Sequence, residues 1–130
     1  STLLIFVLTS ISFASYTDEA FAELVKAIRE KSTKAKLLEV EEKYKNKRIE
    51  GKGYITSITS DVDDNIVINL STEERASSPE AVITVLILRK YLRRQASRFE
   101  IGRKMRFFGV FKEIRMNSIV VEEGFAKEHH

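Results

Sequence analysis

Cysteine and tryptophan are absent from this sequence of 130 residues, and it contains only one proline and two histidines. Without cysteine the chain can form no disulfide, no zinc–thiolate site and no cysteine nucleophile. The two histidines, His129 and His130, end the sequence, and we interpret them as the start of a purification tag. On that interpretation, general-base catalysis and metal ligation by histidine are excluded as well.

Enzymatic motifs are also missing. Serine, lysine and glutamate are abundant, but they form no recognisable catalytic constellation, and no glycine-rich phosphate-binding loop is present. The sequence therefore predicts a protein that is not an enzyme and that holds no cofactor. A hydrophobic content of 43% with 32% charged residues is typical of one globular domain with its own core.

The net charge of +3 is distributed unevenly. Residues 61–87 contain one Lys/Arg against six Asp/Glu, a net of −5, whereas residues 88–116 contain ten against two, a net of +8. This asymmetry predicts an anionic partner for one surface. The alternative is a solvated helix face that only keeps the protein in solution.

The first 15 residues are apolar and uncharged. They have the length of a signal-peptide core and are too short to span a bilayer, and Ser12-Phe13-Ala14 has the form of a cleavage site. We interpret 1–15 as a leader derived from a signal peptide, although a basic start and an initiator methionine are lacking. An exported, periplasmic or envelope protein is the expectation. If the segment is instead a structural element, the protein is cytoplasmic.

The next segment, 16–46, is predicted to be helical. Thr17 is a capping residue followed by two acids, and the apolar positions from Phe21 to Ile28 recur with the spacing of one buried helix face. A second helical stretch ends near Tyr44. The helices therefore precede the main domain, which we place at 47–124, with 125–130 as a tail.

Strand patterns dominate the main domain. Alternating apolar residues predict a strand at 47–60 with a bulge near Gly51 and Gly53. The remaining predicted elements are strands at 66–71 and 81–87, a helix at 88–99, a strand at 103–115, a turn at Met116-Asn117 and a strand at 118–123. The order β-β-β-α-β-β is that of a five-stranded OB-fold barrel, so the fold class is mainly β. The predicted core consists of Ile49, Ile55, Ile68, Leu70, Ile83, Val85, Phe107 and Ile119.

The acidic loop after the first strand imitates a calcium-binding loop. Asp61, Asp63 and Asn65 occupy the first three ligand positions, but Ile66 replaces the required glycine and Thr72 the bidentate glutamate. We therefore predict that no metal binds there.

Several short motifs resemble those of a known family. They are Tyr44-Lys45-Asn46-Lys47, Gly53-Tyr54-Ile55, Ile101-Gly102-Arg103-Lys104, Gly109, Glu113-Ile114 and Asn117-Ser118-Ile119-Val120. The chain resembles, over about residues 17–124, the tRNA-anticodon-domain-like OB-fold family of small, often exported bacterial proteins. The resemblance implies the fold and says little about activity. A lipid anchor is not expected, because no cysteine follows the apolar leader.

Two functions fit the sequence. The first is a non-enzymatic exported module that contacts a protein or an anionic envelope component. Its electrostatic face would be the basic residues of the predicted helix, which recur at i,i+4 spacing: Arg89, Lys90, Arg93, Arg94 and Arg98.

The alternative is a protein that binds single-stranded DNA or RNA on the barrel groove, where OB-folds combine stacking aromatics with basic residues. The candidate ligand-binding residues are Tyr54, Asn69, Arg106, Phe108, Lys112 and Arg115. The acidic loop at 61–64 opposes this alternative, because it would repel a phosphate backbone. The sequence leaves the oligomeric state open.

Overall fold

Two helices precede the barrel in the computed structural model, which describes residues 16–129. Helix α1 spans Asp18–Arg29 and helix α2 spans Lys34–Tyr44. Each begins at a threonine whose Oγ1 accepts a backbone hydrogen bond, from Glu19 N at 3.2 Å for Thr17 and from Lys36 N at 3.2 Å for Thr33. The predicted leader, 1–15, lies outside the described residues.

Five strands close into one barrel in the order β1-β2-β3-β5-β4. They are β1 (Arg48–Ser60), β2 (Ile66–Ser71), β3 (Ile83–Leu88), β4 (Lys104–Arg115) and β5 (Ser118–Glu128). All neighbours are antiparallel except β3 and β5, which run parallel. This topology confirms the predicted five-stranded OB-fold.

Strand β1 serves both halves of the barrel. Its first half pairs with β4 and its second half with β2, and Tyr54 has a partner in each. The predicted bulge exists, but its position was wrong: the register shifts between Ile55 and Ser57 rather than at the glycines. Gly51 instead allows close packing, because a Cβ there would lie 2.6 Å from the rings of Phe107 and Phe21.

Burial confirms most of the predicted core. Ile49, Ile55, Ile68, Leu70, Phe107 and Ile119 are all at most 1% exposed. The prediction was wrong for Ile83 and Val85, which are half-buried on the outer side of β3, while Thr84, Leu86 and Leu88 face the core. Nearly every residue of β3 is apolar, so its sequence does not indicate which side chains face the core. The pairing of Leu70 with Thr84 and of Ile68 with Leu86 determines this.

The connection between β3 and β4 is less helical than predicted. The expected helix at 88–99 consists of one 3₁₀ turn at Lys90–Leu92 followed by one α-helical turn, α3, at Arg93–Ala96. Strand β5 is longer than predicted and continues to Glu128. The predicted hairpin turn is confirmed: Met116 and Asn117 have φ of 51° and 62°, as a two-residue type I′ turn requires. None of the helices between residues 16 and 129 has the length and apolarity needed to cross a membrane.

Candidate functional site

Three cations lie side by side on the outer surface of the barrel. Lys52 of β1 is the register partner of Arg106 of β4, and Arg106 is in turn the partner of Lys127 of β5. We call these three residues the basic row. They point outward because strand side chains alternate and their neighbours Gly51, Gly53, Met105, Phe107 and Ala126 are buried. Like charges directly opposite each other destabilise a sheet, so the row concentrates positive charge at an energetic cost.

Only one member of the basic row is neutralised by an ion pair within the described residues. Arg106 Nη2 donates to Glu50 Oε2 at 2.8 Å. Lys52 and Lys127 have no carboxylate within salt-bridge distance in residues 16–129. Lys104 lies next to the row on β4, with Nζ 5.7 Å from the centre of the Tyr54 ring. The surface therefore keeps an excess of positive charge.

An aromatic cluster, Tyr16, Phe108 and Phe125, supports one end of the basic row. The two phenylalanine rings stack with centres 4.7 Å apart, and Tyr16 packs edge-on against both, at 5.6 and 5.8 Å. Arg106 and Lys127 lie 5.2 and 5.5 Å from the Phe108 ring, within the range of cation–π attraction. Phe108 itself is only 8% exposed. The Phe108 ring lies on the side of the sheet that carries Arg106 and Lys127, but it is covered and offers no free stacking face.

A cleft separates the basic row from helix α1. Its volume is about 1320 Å³, with the side chains of the row on the barrel side and α1 residues on the other. The apolar lining comes from Phe21, Ala22 and Val25 on the α1 side, with Gly51 on the barrel side. The cleft thus joins apolar surface to cations, an arrangement that suits a ligand with both an apolar and an anionic part.

The six ligand-binding residues predicted from the sequence do not form one site. Arg106 and Phe108 are neighbours on β4, and Tyr54 lies nearby beside Lys104. The other three lie elsewhere and contact other side chains. Asn69 Nδ2 donates to Ser57 Oγ at 2.9 Å, Lys112 Nζ lies 3.0 Å from Glu122, and Arg115 Nε lies 2.7 Å from Glu113.

The basic segment, residues 89–98, differs from the helical face that the sequence predicted. Because only two short turns form, its cations do not stack along one helix at i,i+4. Arg93 forms a bidentate pair with Asp64, at 2.7 and 2.9 Å. The Arg89 side chain donates to Tyr91 Oη at 3.0 Å and to the carbonyl of Glu123 at 3.1 Å. Lys90, Arg94 and Arg98 are exposed, and no ion-pair partner lies within the described residues.

The acidic loop between β1 and β2 folds onto itself. Asp61 Oδ1 accepts hydrogen bonds from the backbone of Asp63 at 3.0 Å and of Asn65 at 2.9 Å, and the bond from Asn65 lowers the pKa of the Asp61 carboxyl. The guanidinium of Arg93 lowers the pKa of Asp64 in the same way. Among residues 16–129 no group of three or more histidine, aspartate or glutamate side chains is arranged to hold a metal ion.

Sequence reasoning missed three cations of the site. Lys52 shares the outward parity of Tyr54, and that alternation could have identified it. Lys104 follows the predicted start of its strand by one residue. Lys127 lies beyond the predicted end of the fifth strand, so its position beside Arg106 became visible only from the longer β5.

Neither a family model nor a curated protein matches the sequence. Among solved structures, the fold is similar to that of a lipoprotein from Klebsiella pneumoniae, provisionally described as nucleic acid-binding. The TM-score is 0.59 at 10% identity, and the match covers 92% of this chain and 96% of that one. At this identity the likeness shows a shared fold.

Two further structures match less well. One is an OBody bound to hen egg-white lysozyme, with a TM-score of 0.46 at 13% identity over 67% of this chain and 85% of that one. The other is a small single-stranded DNA binding protein from Mycoplasma pneumoniae, with a TM-score of 0.43 at 12% identity over 64% and 96%.

Proposed function

We propose that this chain is a non-enzymatic OB-fold binding module whose ligand is a single-stranded nucleic acid. The observation that carries the proposal is the basic row. Three cations are held in register across three strands, and only Arg106 has a carboxylate partner within the described residues, so an anionic strand lying across them would neutralise Lys52 and Lys127. Single-stranded nucleic acids are bound by this combination of a positive surface with aromatic side chains.

The surroundings of the row support the same ligand. Tyr54 is half-buried with Lys104 over its ring, so one ring beside the row remains partly accessible to a base. The acidic loop, whose charge would repel a phosphate backbone, is bound to Arg93 through Asp64 and lies beside the basic segment rather than the row. The Klebsiella lipoprotein, which shares the fold, is itself described provisionally as nucleic acid-binding, which is in keeping with the proposal.

The basic segment defines the second candidate, contact with a protein or an anionic envelope component. Its support is the exposure of Lys90, Arg94 and Arg98, which have no ion-pair partner within the described residues. Export of the chain and membership of the tRNA-anticodon-domain-like family stay predictions from the sequence.

A pair of matched double variants tests the proposal. Lys52→Gln with Lys127→Gln removes two charges from the row and leaves the Arg106–Glu50 pair intact. Lys90→Gln with Arg94→Gln removes two charges from the basic segment. Binding of a fluorescent oligodeoxynucleotide of about ten nucleotides would be measured by anisotropy over a range of salt concentrations, since OB-folds cover about 4–16 nucleotides.

We expect the row variant to bind roughly 10- to 30-fold more weakly at about 0.1 M salt, because each lost phosphate contact removes about 0.7 from the salt slope of single-strand binding. Its slope should fall by about 1.4 on the same basis. The segment variant should bind almost as the unmodified protein does. Equal losses in both variants, or no binding by the unmodified protein, would contradict the proposal.

A further inference from the structure

The cleft between α1 and the barrel is a built feature, because α1 is attached to the barrel at both ends. At its start, the carbonyl of Thr17 accepts from Glu50 N at 2.9 Å. At its end, Arg29 donates to the carbonyl of Glu80 at 2.9 Å and to Glu73 Oε1 at 2.9 Å. Ala20 and Leu24, on the inner face of the helix, are fully buried. The width of the cleft is therefore set by contacts of the fold itself.

Apolar groups remain accessible on the helix side of the cleft. Phe21 packs edge-on against Phe107 with ring centres 5.1 Å apart, yet it stays half-buried and lines the cleft. Ala22 is exposed beside it and presents only a methyl group. A flat aromatic group could therefore enter the cleft and lie against Phe21 without displacing a large side chain.

The two sides of the cleft differ in charge near the start of α1. The basic row lies on the barrel side, while Asp18 and Glu19 line the helix side, where neither carboxylate has an ion-pair partner within residues 16–129. The other charged residues that line the cleft are paired: Lys26 with Glu30, Arg29 with Glu73, Glu50 with Arg106 and Glu128 with Arg103. Phosphates are attracted to the unpaired lysines of the row and repelled by the unpaired carboxylates at the start of α1. Carboxylates accept hydrogen bonds from the amino groups on base edges. A nucleotide in the cleft is thereby oriented, with its phosphate toward the barrel and its base toward the helix.

We propose that the cleft between α1 and the barrel receives a nucleobase of the strand whose phosphates lie on the basic row. The inference rests on the proposed function and adds a base site outside the barrel groove. It requires the bases themselves to contribute to affinity, which binding through phosphates alone does not.

Oligonucleotides with and without bases show whether the bases contribute to affinity or the phosphates alone do. An ordinary oligodeoxynucleotide and an abasic one of equal length carry the same phosphate charge. We expect the abasic strand to bind the full chain at least tenfold more weakly, since stacking of one base on an aromatic side chain is worth about this much or more and Tyr54 offers a second ring beside the row.

A variant that narrows the cleft tests whether the base binds there. Ala22→Leu adds bulk beside Phe21 at an exposed helix position, and Ala35→Leu makes the same change at an exposed position of α2, away from the cleft. Ala22→Leu should lower the affinity for the ordinary strand toward that for the abasic strand, and it should leave the affinity for the abasic strand unchanged. Ala35→Leu should alter neither.

The possible results separate this inference from the proposed function. If ordinary and abasic strands bind equally and both depend on Lys52 and Lys127, the base site is wrong and the proposed function stands. If the ordinary strand binds better but Ala22→Leu has no effect, the base lies elsewhere and the inference is again overturned. If neither strand binds, both proposals fail.

Discussion

The two cationic regions of this protein differ in organisation more than in charge. The basic segment carries five cations and the basic row only three, so a count of charges favours the segment. In the segment, however, Arg93 is bound to Asp64, and Arg89 to Tyr91 and a backbone carbonyl. In the row, two of three cations keep no carboxylate partner within the described residues. Lys90, Arg94 and Arg98 of the segment also have no ion-pair partner within the described residues. What distinguishes the row is its placement, because its cations occupy paired positions on three neighbouring strands beside the cleft.

The difference has its origin in the elements that carry the charges. Hydrogen-bonded strands hold the backbone positions of the row about 4.8 Å apart, so its three side chains start from neighbouring points on one surface. The segment consists of two short turns, where long side chains can turn toward nearby carboxylates. The sheet therefore fixes which cations of the row are neighbours, whereas in the segment Arg93 is paired with Asp64 of the acidic loop.

The largest expected effect is a loss of stability when a buried residue beneath each region is truncated. Ile68 is fully buried in the barrel that holds the row, and Ile68→Ala should lower the free energy of unfolding by about 2–5 kcal/mol. Ala96 anchors the segment, and Ala96→Gly should cost only about 1 kcal/mol. Urea denaturation would measure both. A loss below about 1 kcal/mol for Ile68→Ala would contradict its place in the core.

A smaller effect should follow from removing one tyrosine near each region. Tyr54 lies beside the row under Lys104, so Tyr54→Ala should weaken single-strand binding by about 1–3 kcal/mol, the value of one stacking side chain. Tyr91, which is 73% exposed in the segment, serves as the control. Anisotropy titration with a single strand would measure the affinity of both tyrosine variants. Equal losses of affinity would contradict the assignment of binding to the row rather than the segment.

Removing the acidic partner of one arginine in each region should give a still smaller change, in the opposite direction. Glu50→Gln frees Arg106 in the row, and we expect single strands to bind about threefold more tightly, since exposed ion pairs are worth at most about 1 kcal/mol. Asp64→Asn frees Arg93 in the segment and should leave binding unchanged. A gain in affinity from Asp64→Asn alone would reverse the assignment of the site.

The smallest effect concerns acid pH. Arg93 lowers the pKa of the Asp64 carboxyl in the folded protein, so the pair stabilises the fold above the ordinary pKa of aspartate. This contribution disappears as the pH falls through the lowered pKa and Asp64 becomes protonated. Asp64→Asn should therefore reduce stability slightly at neutral pH and not at strongly acid pH. Thermal unfolding at several pH values, with Asp63→Asn as a control, would test this.

The sequence by itself determined the order of the elements and most of the core. Alternation located the strands predicted at 47–60 and 66–71, and Met116-Asn117 located the last hairpin turn, because each pattern depends on residues close together in the chain. The buried face of β3 was predicted wrongly, because a strand with apolar residues on both faces contains no local signal for which face lies inside.

Only the tertiary structure decided which charges lie together. Lys52, Arg106 and Lys127 are distant in sequence, and they meet because β1, β4 and β5 pair in one particular register. In the basic segment, by contrast, Arg93 is bound to Asp64, and Arg89 is bound to Tyr91 and the carbonyl of Glu123. Strand register and side-chain pairing are long-range contacts, so neither the basic row nor the engagement of the basic segment is encoded in any local pattern of the chain.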